Sequence, residues 1–429
     1  RITGSGILDL TRLSATSTQD VTWTLPAVTL ENAGTLRFRN NNAATYNHTM
    51  AAALHVGSGG GRIVNSGGTG VQNVTLSGAL TGSGSLVYSG QNGTPRQLNI
   101  TGSNNSFSGG WSVSHSGTGT AILRAAAANA LGTGVVTVGA SGQLLNDHAT
   151  GLNSLSGVVL NGGNALLKLN QPWNNSSASL AMTGGTPVAE VGNAAPSIGN
   201  LSGGASAVLR GTGPASVLTA NQTADQEFAG GVGPDLQLIQ SGAAGLTLSG
   251  GLDASLRLTA AQGRLALAGP PAAIAAVTQT GGDLAVNLVD PTTPSLVLTG
   301  NFAHTGGVLR VGLPPAGFVT GVPYPLVVYQ GSLTGQPPVE FAEPAPAVVD
   351  YGSGSNSVIT VTFHEAVLLT TLASPPEGGT VSGGGFQQPG TEAVITATPA
   401  PGWQFDGWEG EGVIDAEHPA SAVVMDGPK

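Results

Sequence analysis

The chain has no cysteine and few charged residues. Without cysteine it can form neither a disulfide framework nor a thiolate metal site. Only 8% of its 429 residues are charged, against about 25% in an average soluble protein. The formal net charge of −10 disfavours nucleic acid as a partner, because nucleic-acid binding depends on Lys and Arg contacts to phosphate. No apolar run approaches the roughly 18 residues of a membrane-spanning helix, so we expect no membrane insertion.

The motifs of common catalytic sites are also missing. No serine lies in a Gly-x-Ser-x-Gly frame, no lysine follows a glycine as a P-loop requires, and no His-Glu-x-x-His zinc motif occurs. The histidines are scattered, at positions 48, 55, 115, 148, 304, 364 and 418. A metal site assembled from stacked histidines remains an alternative. We predict that the protein is not an enzyme and has no catalytic, cofactor-binding or metal-binding residues.

Glycine, by contrast, is abundant, with 68 residues. Sequence rich in Gly and Ser is often disordered, but 40% of this chain is hydrophobic and its apolar residues alternate as in β-strands. The most prominent pattern is at residues 106–113 (SFSGGWSV), where a small residue and two glycines precede an apolar residue. Similar segments occur at residues 228–232 and 304–308, and looser copies of the small-Gly-Gly core begin at 66, 183, 202, 249 and 280.

From residue 183 onward the glycine pairs recur at intervals of 19 to 31 residues. A period of about 20 to 30 residues is typical of a solenoid, whereas a propeller blade needs about 40. Glycine suits a sharp corner in such a stack, because neighbouring backbones lie only about 4.8 Å apart. The pattern predicts about 15 coils of roughly 22 residues over residues 1–335. We expect the apolar residue after each pair to point inward.

Short runs of Val, Ile and Leu between these turns indicate strands. Examples are residues 135–138 and 236–239, which are bounded by Gly, Ser, Asn or Pro. Residues 122–131 contain five alanines and are followed by Gly132, so a short helix is equally compatible with that segment.

The acidic residues are distributed unevenly along the chain. Residues 1–224 hold five, residues 225–335 hold six, and residues 336–429 hold twelve. A proline-rich stretch from Pro337 to Pro346 coincides with this change in composition. We therefore predict a β-helical domain (1–335), a Pro/Gly-rich linker or closing segment (336–365) and a small β-domain (366–429).

Two segments in the first domain resemble the passenger-associated β-strand repeat of bacterial autotransporters. They are residues 100–111 (ITGSNNSFSGGW) and 129–138 (NALGTGVVTV), which follow each other in that family's order. Weaker similarity occurs at residues 83–87 and 296–300, and residues 324–335 resemble the way such passengers close. The resemblance covers about residues 70–335. It implies a right-handed parallel β-helix on the outside of a bacterium.

The tail resembles a bacterial surface repeat related to the internalin B-repeat. The matching segments are residues 374–381 (SPPEGGTV), 389–391 (PGT) and 397–408 (ATPAPGWQFDGW). This family implies a small β-domain that serves as a spacer or adhesive module on secreted proteins. Its members carry one more strand beyond residue 429, so we expect the tail domain to be incomplete or to receive that strand from elsewhere. We also expect the chain to be a processed piece of a longer precursor, because it begins at Arg1 rather than Met.

The first domain has one loose group of acids with a possible chemical role. It consists of Asp225, Glu227, Asp235 and Asp253. Polysaccharide-cleaving β-helices place carboxylates on adjacent coils as general acid and base or as calcium ligands. Solvated turn residues are the simpler interpretation, which we prefer here and for Asp283 and Asp290.

The tail has a denser group of acids and a group of aromatic residues. The acids could bind a divalent cation or simply form a solvated loop, and we prefer the loop; they are Asp406, Glu409, Glu411, Asp415 and Glu417. Trp403, Phe405 and Trp408 could stack against a sugar, but we favour a core role, because small β-domains have few other large residues to bury. The same preference applies to the other tryptophans, at positions 23, 111 and 173.

An asparagine-rich stretch begins at Asn40 and leads into Tyr46, Asn47 and His48. Asparagine ladders between coils explain this stretch as well as a binding site would.

We predict an all-β protein that consists of a right-handed parallel β-helix followed by a small β-domain. We expect it to be an extracellular or cell-surface bacterial structural protein, a stiff rod that acts as a stalk or as a subunit of a filament, appendage or sheath. Expected partners are further copies of the chain, end to end or laterally, or other surface proteins. One alternative is an adhesin that binds glycans or a host. Another is a polysaccharide-degrading β-helix that uses Asp225, Glu227 or Asp253.

Overall fold

The computed structural model describes residues 1–12, 20–40, 46–103, 105–315, 317–342, 345–352 and 357–429. The chain forms two compact units. Unit 1 comprises Arg1–Val286, Leu296–Leu309 and Tyr329–Pro338, and unit 2 comprises Asn287–Ser295, Arg310–Val328 and Val339–Lys429.

Unit 1 is a parallel β-solenoid, so the predicted β-helix is confirmed. Each coil adds a strand to one or more parallel sheets, here named I to V. Sheet I contains Ile2–Thr3, Ala27–Glu31, Ala53–Val56, Leu80–Gly82 and Ser106–Phe107. In unit 1, sheet II contains Ile7–Arg12, Gly34–Asn40, Gly61–Gly67, Leu86–Gln91, Trp111–Ser116, Val135–Val138, Gly157–Asn161, Ser179–Gly184, Leu201–Gly203, Gln226–Phe228, Gly245–Leu248, Arg264–Leu267 and Asp283–Asn287, whose last residue belongs to unit 2.

The other sheets of unit 1 follow the same parallel pattern. Sheet III contains Val21–Trp23, Tyr46–Met50, Gln72–Leu76, Arg96–Ile100, Ala121–Ala125, Gly142–Asn146, Leu166–Leu169, Val188–Val191, Val208–Gly211 and Gly231–Val232. Sheet IV contains Asn174–Asn175, Ser197–Ile198, Ser216–Ala220, Leu236–Gln240, Arg257–Ala260, Ala276–Thr280, Phe302–Gly306 and Leu333–Thr334. Sheet V includes Ala272–Ile274 and Leu296–Leu298.

The core of unit 1 is built from side chains of equivalent residues stacked coil upon coil. In sheet II one inward column runs through Leu36, Ile63, Tyr88 and Val113, all fully buried. Because side chains alternate between the two faces of a strand, residues that are paired in neighbouring strands point to the same face of the sheet. Full burial of one such aliphatic side chain contributes about 1.5–3 kcal/mol, so the columns hold adjacent coils together.

Most coils of sheet II become shorter along the chain, although Gly203 and Phe228 are again 25 residues apart. Stacked positions in sheet II are 28 residues apart at Leu8 and Leu36, 25 apart at Leu86 and Trp111, and 19 apart at Leu265 and Leu284. The corners therefore lose residues while the inward columns continue.

The glycine pairs occupy different corners of the coil. Trp111 follows Gly110 into sheet II and is 2% exposed, whereas Val232 follows Gly231 in sheet III and is also buried. The inward orientation is thus confirmed at these two residues. After the third pair, Val308 is only half-buried, and it is the next residue, Leu309, that is fully buried.

The helix alternative at residues 122–131 is wrong. Ala121–Ala125 is a strand of sheet III, with Ala121, Leu123 and Ala125 fully buried. Small alanines fit the crowded inward columns, and this tertiary packing outweighs their helix propensity. In the described part of the chain the one helical element is the 3-10 turn Pro376–Gly378.

Unit 2 contains short strands, most of which pair in antiparallel fashion. Val358–Phe363 pairs with Ala347–Asp350 and with Pro323–Tyr329, whose last residue belongs to unit 1. Val367–Leu369 pairs with Gly385–Gln387. Gly379–Ser382, Glu392–Pro399 and Ala420–Val424 form a three-stranded sheet in that order. Two further strands of this part of the chain are Leu309–Gly312 and Val339–Phe341.

Candidate functional site

Residues 367–429 fold around a small apolar core of their own. The strand Glu392–Pro399 buries Ala393 and Ile395 and exposes Val394 between them, as expected of a sheet with one covered face. Its core cluster consists of Leu369, Ala393, Ile395, Val423 and Met425.

Trp408 is anchored at the edge of this core. It packs against the core cluster, and its indole Nε1 donates a hydrogen bond to the carbonyl oxygen of His418 at 3.0 Å. Phe405 lies beside it, with ring centroids 5.6 Å apart and an angle of 60° between the ring planes. The core prediction is therefore confirmed for Trp408, which uses both its apolar body and its N–H group.

Trp403 is not a core residue, and that prediction is wrong. Its side chain is 44% exposed. A tight turn closed by the hydrogen bond from Trp403 N to Ala400 O (3.0 Å) presents the ring at the surface. The ring packs on Gly378, where a Cβ would lie 3.3 Å from Trp403 Cε3. Glycine at position 378 thus provides the flat surface on which the indole rests.

These aromatic residues line a groove of about 300 Å³. Its lining combines the ends of two sheet strands, at residues 378–381 and 397–399, with the segments 372–375 and 403–408. Trp403, Phe405 and Trp408 all contribute to it. This volume lies at the lower end of the range for ligand pockets, so the groove matches one side chain or a small molecule.

The five tail acids do not converge on one point. Asp406 lines the aromatic groove, whereas Glu409 and Glu411 line a second groove on the other side of Trp408. Asp415 accepts a hydrogen bond from the backbone N–H of Glu417. In the described part of the chain, no three His, Asp or Glu residues are grouped as metal ligands.

Lys429 is the one Lys or Arg in residues 366–429, which hold eight acids and one histidine, His418. Its ammonium lies 2.7 Å from Asp426 Oδ1 and 3.3 Å from Glu411 Oε1. The hydrogen bond from Lys429 lowers the pKa of Asp426, and the same contact raises the pKa of Lys429. Lys429 is thus engaged with carboxylates that lie outside the aromatic groove.

The four acids of the loose group in unit 1 lie in two different parts of the coil. Asp225 and Glu227 lie at the start of the sheet II strand Gln226–Phe228, where Asp225 Oδ1 accepts from Gly245 N at 2.6 Å. Asp235 and Asp253 lie in the turns that lead from sheet III to sheet IV. Asp253 Oδ1 accepts from the backbone N–H of Ser255 at 2.9 Å, which is a turn-forming contact.

Asp283 begins the sheet II strand Asp283–Asn287, and Asp290 stabilises a turn. Asp283 Oδ1 accepts from Val308 N at 3.2 Å. Asp290 accepts from the hydroxyl and N–H of Thr292 and from the N–H of Thr293, and these bonds lower its pKa to about 2. The preferred interpretation as a turn residue is confirmed for Asp290, whereas Asp283 is a part-buried strand residue that links two coils.

The other tryptophans and the asparagine-rich stretch make packing or hydrogen-bond contacts within the fold. Trp111 and Trp173 are buried core residues, and Trp23 donates from Nε1 to His48 Nδ1 at 3.2 Å. Asn47 is part of a ladder in which Asn73 donates to Asn47 (2.8 Å) and Asn47 donates to Asp20 (2.9 Å). The ladder interpretation is thus confirmed at Asn47, while Asn41 and Asn42 of the same stretch lie outside the described residues.

Arg96 is a buried residue that sequence reasoning missed. Its guanidinium donates to four carbonyl oxygens, at Gln91 (3.0 Å), Gly70 (2.6 Å), Gly67 (2.5 Å) and Gly68 (2.7 Å). It therefore closes the corner between sheets II and III in two successive coils. Burial lowers its pKa. The alternation with Leu98 and Ile100, both buried, was the available signal that Arg96 points inward.

Among the described residues, no helix has the length and apolarity that crossing a membrane requires.

Comparison with known proteins finds a family match for the tail of the chain. Residues 369–429 match the divergent InlB B-repeat domain family. No curated protein matches the chain. The match covers the three-stranded sheet, its core cluster and the whole aromatic groove. Together with the fold of unit 1, it identifies the chain as a β-helix protein with a C-terminal InlB-like repeat.

Proposed function

We propose that the chain is an extracellular or cell-surface structural protein, in which the β-solenoid is a stiff scaffold and the InlB-like repeat is a module on the same chain. The observation that carries this proposal is the uninterrupted stacking in sheet II. From Ile7–Arg12 to Asp283–Asn287, every strand pairs with the strand of the next coil. Bending such a stack would break backbone hydrogen bonds that each coil shares with its neighbours.

The dimensions and corners of unit 1 suit a scaffold. Its twelve steps in sheet II, at about 4.8 Å each, give a stack of roughly 58 Å. Buried amides fasten the corners: Asn105 donates to Ala130 O, and Gln279 donates to Gly282 O and Val308 O. Corners tied in this way expose little free backbone to proteases.

The location outside the cell is supported by the match of residues 369–429 to the divergent InlB B-repeat domain family. The absence of cysteine is compatible with that location. We further propose a stalk or a subunit of an appendage or sheath, with other copies or other surface proteins as partners. A non-enzymatic role accords with the positions of Asp225 and Asp253, which lie in different parts of the coil.

An adhesin is the second candidate, and it too has an observation in its favour. Large apolar side chains that are exposed concentrate in the repeat: Leu368, Leu372, Phe386, Val394, Trp403, Ile414 and Val424. Exposed apolar surface of this kind often marks an interaction site.

Immunogold electron microscopy of unmodified cells, combined with limited proteolysis of intact cells, tests the proposal. We expect label outside the cell and a protease-resistant fragment that corresponds to unit 1. Fibres or sheets would support the appendage role, and single projections would support the stalk. Label confined to the cytoplasm, or rapid degradation of unit 1, would contradict the scaffold.

A further inference from the structure

The aromatic groove of the repeat has walls that are fixed before any ligand arrives. Trp403 rests on Gly378, and its turn is closed by the bond to Ala400. Trp408 is held by its hydrogen bond to His418 and by the core cluster. A groove whose rings are already in place loses little conformational entropy when a ligand binds.

The groove carries negative charge and no counter-charge. Asp406 is its charged lining residue, and no ion pair joins Asp406 to a residue in the described part of the chain. Lys429, the one Lys or Arg of the repeat, is held by Glu411 and Asp426, and neither Lys429 nor His418 lines this groove. The groove is therefore complementary to a cation.

Its lining also offers hydrogen-bond acceptors to a ligand. Among its lining residues, Ser374, Gln404 and Asp406 have side-chain oxygens that can accept hydrogen bonds. A ligand that is flat, weakly hydrated and rich in N–H donors matches this combination. A quaternary ammonium has no donors, and a neutral sugar leaves the carboxylate of Asp406 without a counter-charge.

We propose that this groove binds the side chain of an arginine presented by another polypeptide chain. The guanidinium is planar, stacks on indole faces and carries five N–H donors that reach a carboxylate. One guanidinium and its aliphatic stem fit a groove of about 300 Å³. The site is separate from the scaffold role of unit 1 and does not depend on it.

The test is a titration of the full-length protein with a blocked, uncharged Gly/Ser peptide that contains one central arginine. Binding is followed by NMR of the tryptophan indole N–H signals and by calorimetry. We expect saturable binding in the millimolar range, with shifts confined to two indole signals, those of Trp403 and Trp408. The same peptide with citrulline, which keeps the shape but loses the charge, should bind at least tenfold more weakly.

Two variants assign the binding to the groove. Trp403→Ala and Asp406→Asn should each weaken binding at least fivefold, and both side chains are exposed, so the fold should persist. Matched controls are Val394→Ala, which removes exposed apolar surface outside the groove, and Glu417→Gln, which removes one acidic charge outside the groove. Both controls should bind as the unaltered protein does.

Several outcomes would overturn the proposal. Equal binding of the arginine and citrulline peptides would remove the role of charge. Unchanged binding by Trp403→Ala and Asp406→Asn would place the site elsewhere. Binding of choline or of a methyl glycoside in preference to the arginine peptide would assign the groove to a different ligand class, and no saturable shift at all would reject the site.

Discussion

Gly109 lies against Gly84 of the preceding coil so closely that a Cβ on Gly109 would overlap the Gly84 carbonyl oxygen. Gly134 contacts Gly109 in the same way one coil later. The three glycines thus form a column at the corner that leads into sheet II. Adjacent coils approach each other there by backbone contact alone, which no residue with a side chain permits.

This column predicts that Gly109→Ala destabilises unit 1. The added methyl group would force the two coils apart, and overpacking of this kind costs typically about 1–3 kcal/mol. Thermal unfolding followed by circular dichroism measures the effect. The control is Gly163→Ala, because a Cβ at Gly163 would meet no atom within 4 Å. Equal unfolding temperatures for the two variants would contradict the close approach.

The glycine pairs were enough to predict the solenoid but not the length of its coils. The pair at Gly109 precedes sheet II, whereas the pair at Gly230 precedes a strand of sheet III. Two successive glycine pairs can therefore lie at different corners. The number of residues between them then differs from the length of one coil. Because any corner that closes tightly needs glycine, the marker carries no information about which corner it is.

Side-chain roles were predictable where strand alternation was clear, and less so elsewhere. Trp111 and Trp173 are core residues as expected, because a large apolar residue in a strand is buried when it faces inward. Trp403 is exposed because it lies in a turn, where no alternation indicates its direction. The aromatic groove combines segments that are far apart in sequence, so spacing alone could not reveal it.

Arg96 should contribute strongly to stability despite its buried charge. Arg96→Met removes donors from four carbonyl oxygens, and each buried acceptor left unpaired costs about 1–3 kcal/mol. We expect a loss of at least about 3 kcal/mol in denaturant unfolding, with Arg96→Lys intermediate because a single ammonium cannot reach all four oxygens.

The matched control for this prediction is Arg62→Met, since Arg62 is exposed on sheet II. It should change the stability by less than about 0.5 kcal/mol. A stabilised Arg96→Met protein would contradict the prediction and would mean that desolvation of the guanidinium outweighs its hydrogen bonds.

We expect the protein to lose stability at acidic pH because of His115. Burial lowers the pKa of His115, and the nearby guanidinium of Arg96 lowers it further. Below the unfolded pKa of about 6.5, the unfolded chain binds a proton that folded His115 does not bind. Its contribution to stability therefore falls as the pH decreases from about 6.5 to the lowered folded value, and stays constant above that range.

The measurement is the thermal midpoint of unfolding at pH 7.5 and pH 5. His115→Gln should reduce the difference between the two midpoints, while His55→Gln, at an exposed position on sheet I, should leave it unchanged. Burial also lowers the pKa of His304, so some acid sensitivity should persist in His115→Gln. An identical pH dependence in His115→Gln and the unaltered protein would refute the assignment.

Gly203 and Phe228 should behave as one packing unit. They are directly paired in sheet II, and a Cβ on Gly203 would lie 2.5 Å from Cε2 of the fully buried Phe228 ring. Gly203→Ala alone should therefore destabilise unit 1 by about 1–3 kcal/mol. In a Phe228→Leu background the ring is gone, so the same alanine should cost less, with a coupling of about 1–2 kcal/mol between the two changes.

The control is Gly203→Ala combined with Leu36→Val, several coils away in the same sheet, for which the two losses should add within about 0.5 kcal/mol. Additive losses for Gly203→Ala and Phe228→Leu would show that neighbouring coils do not share packing space at this position.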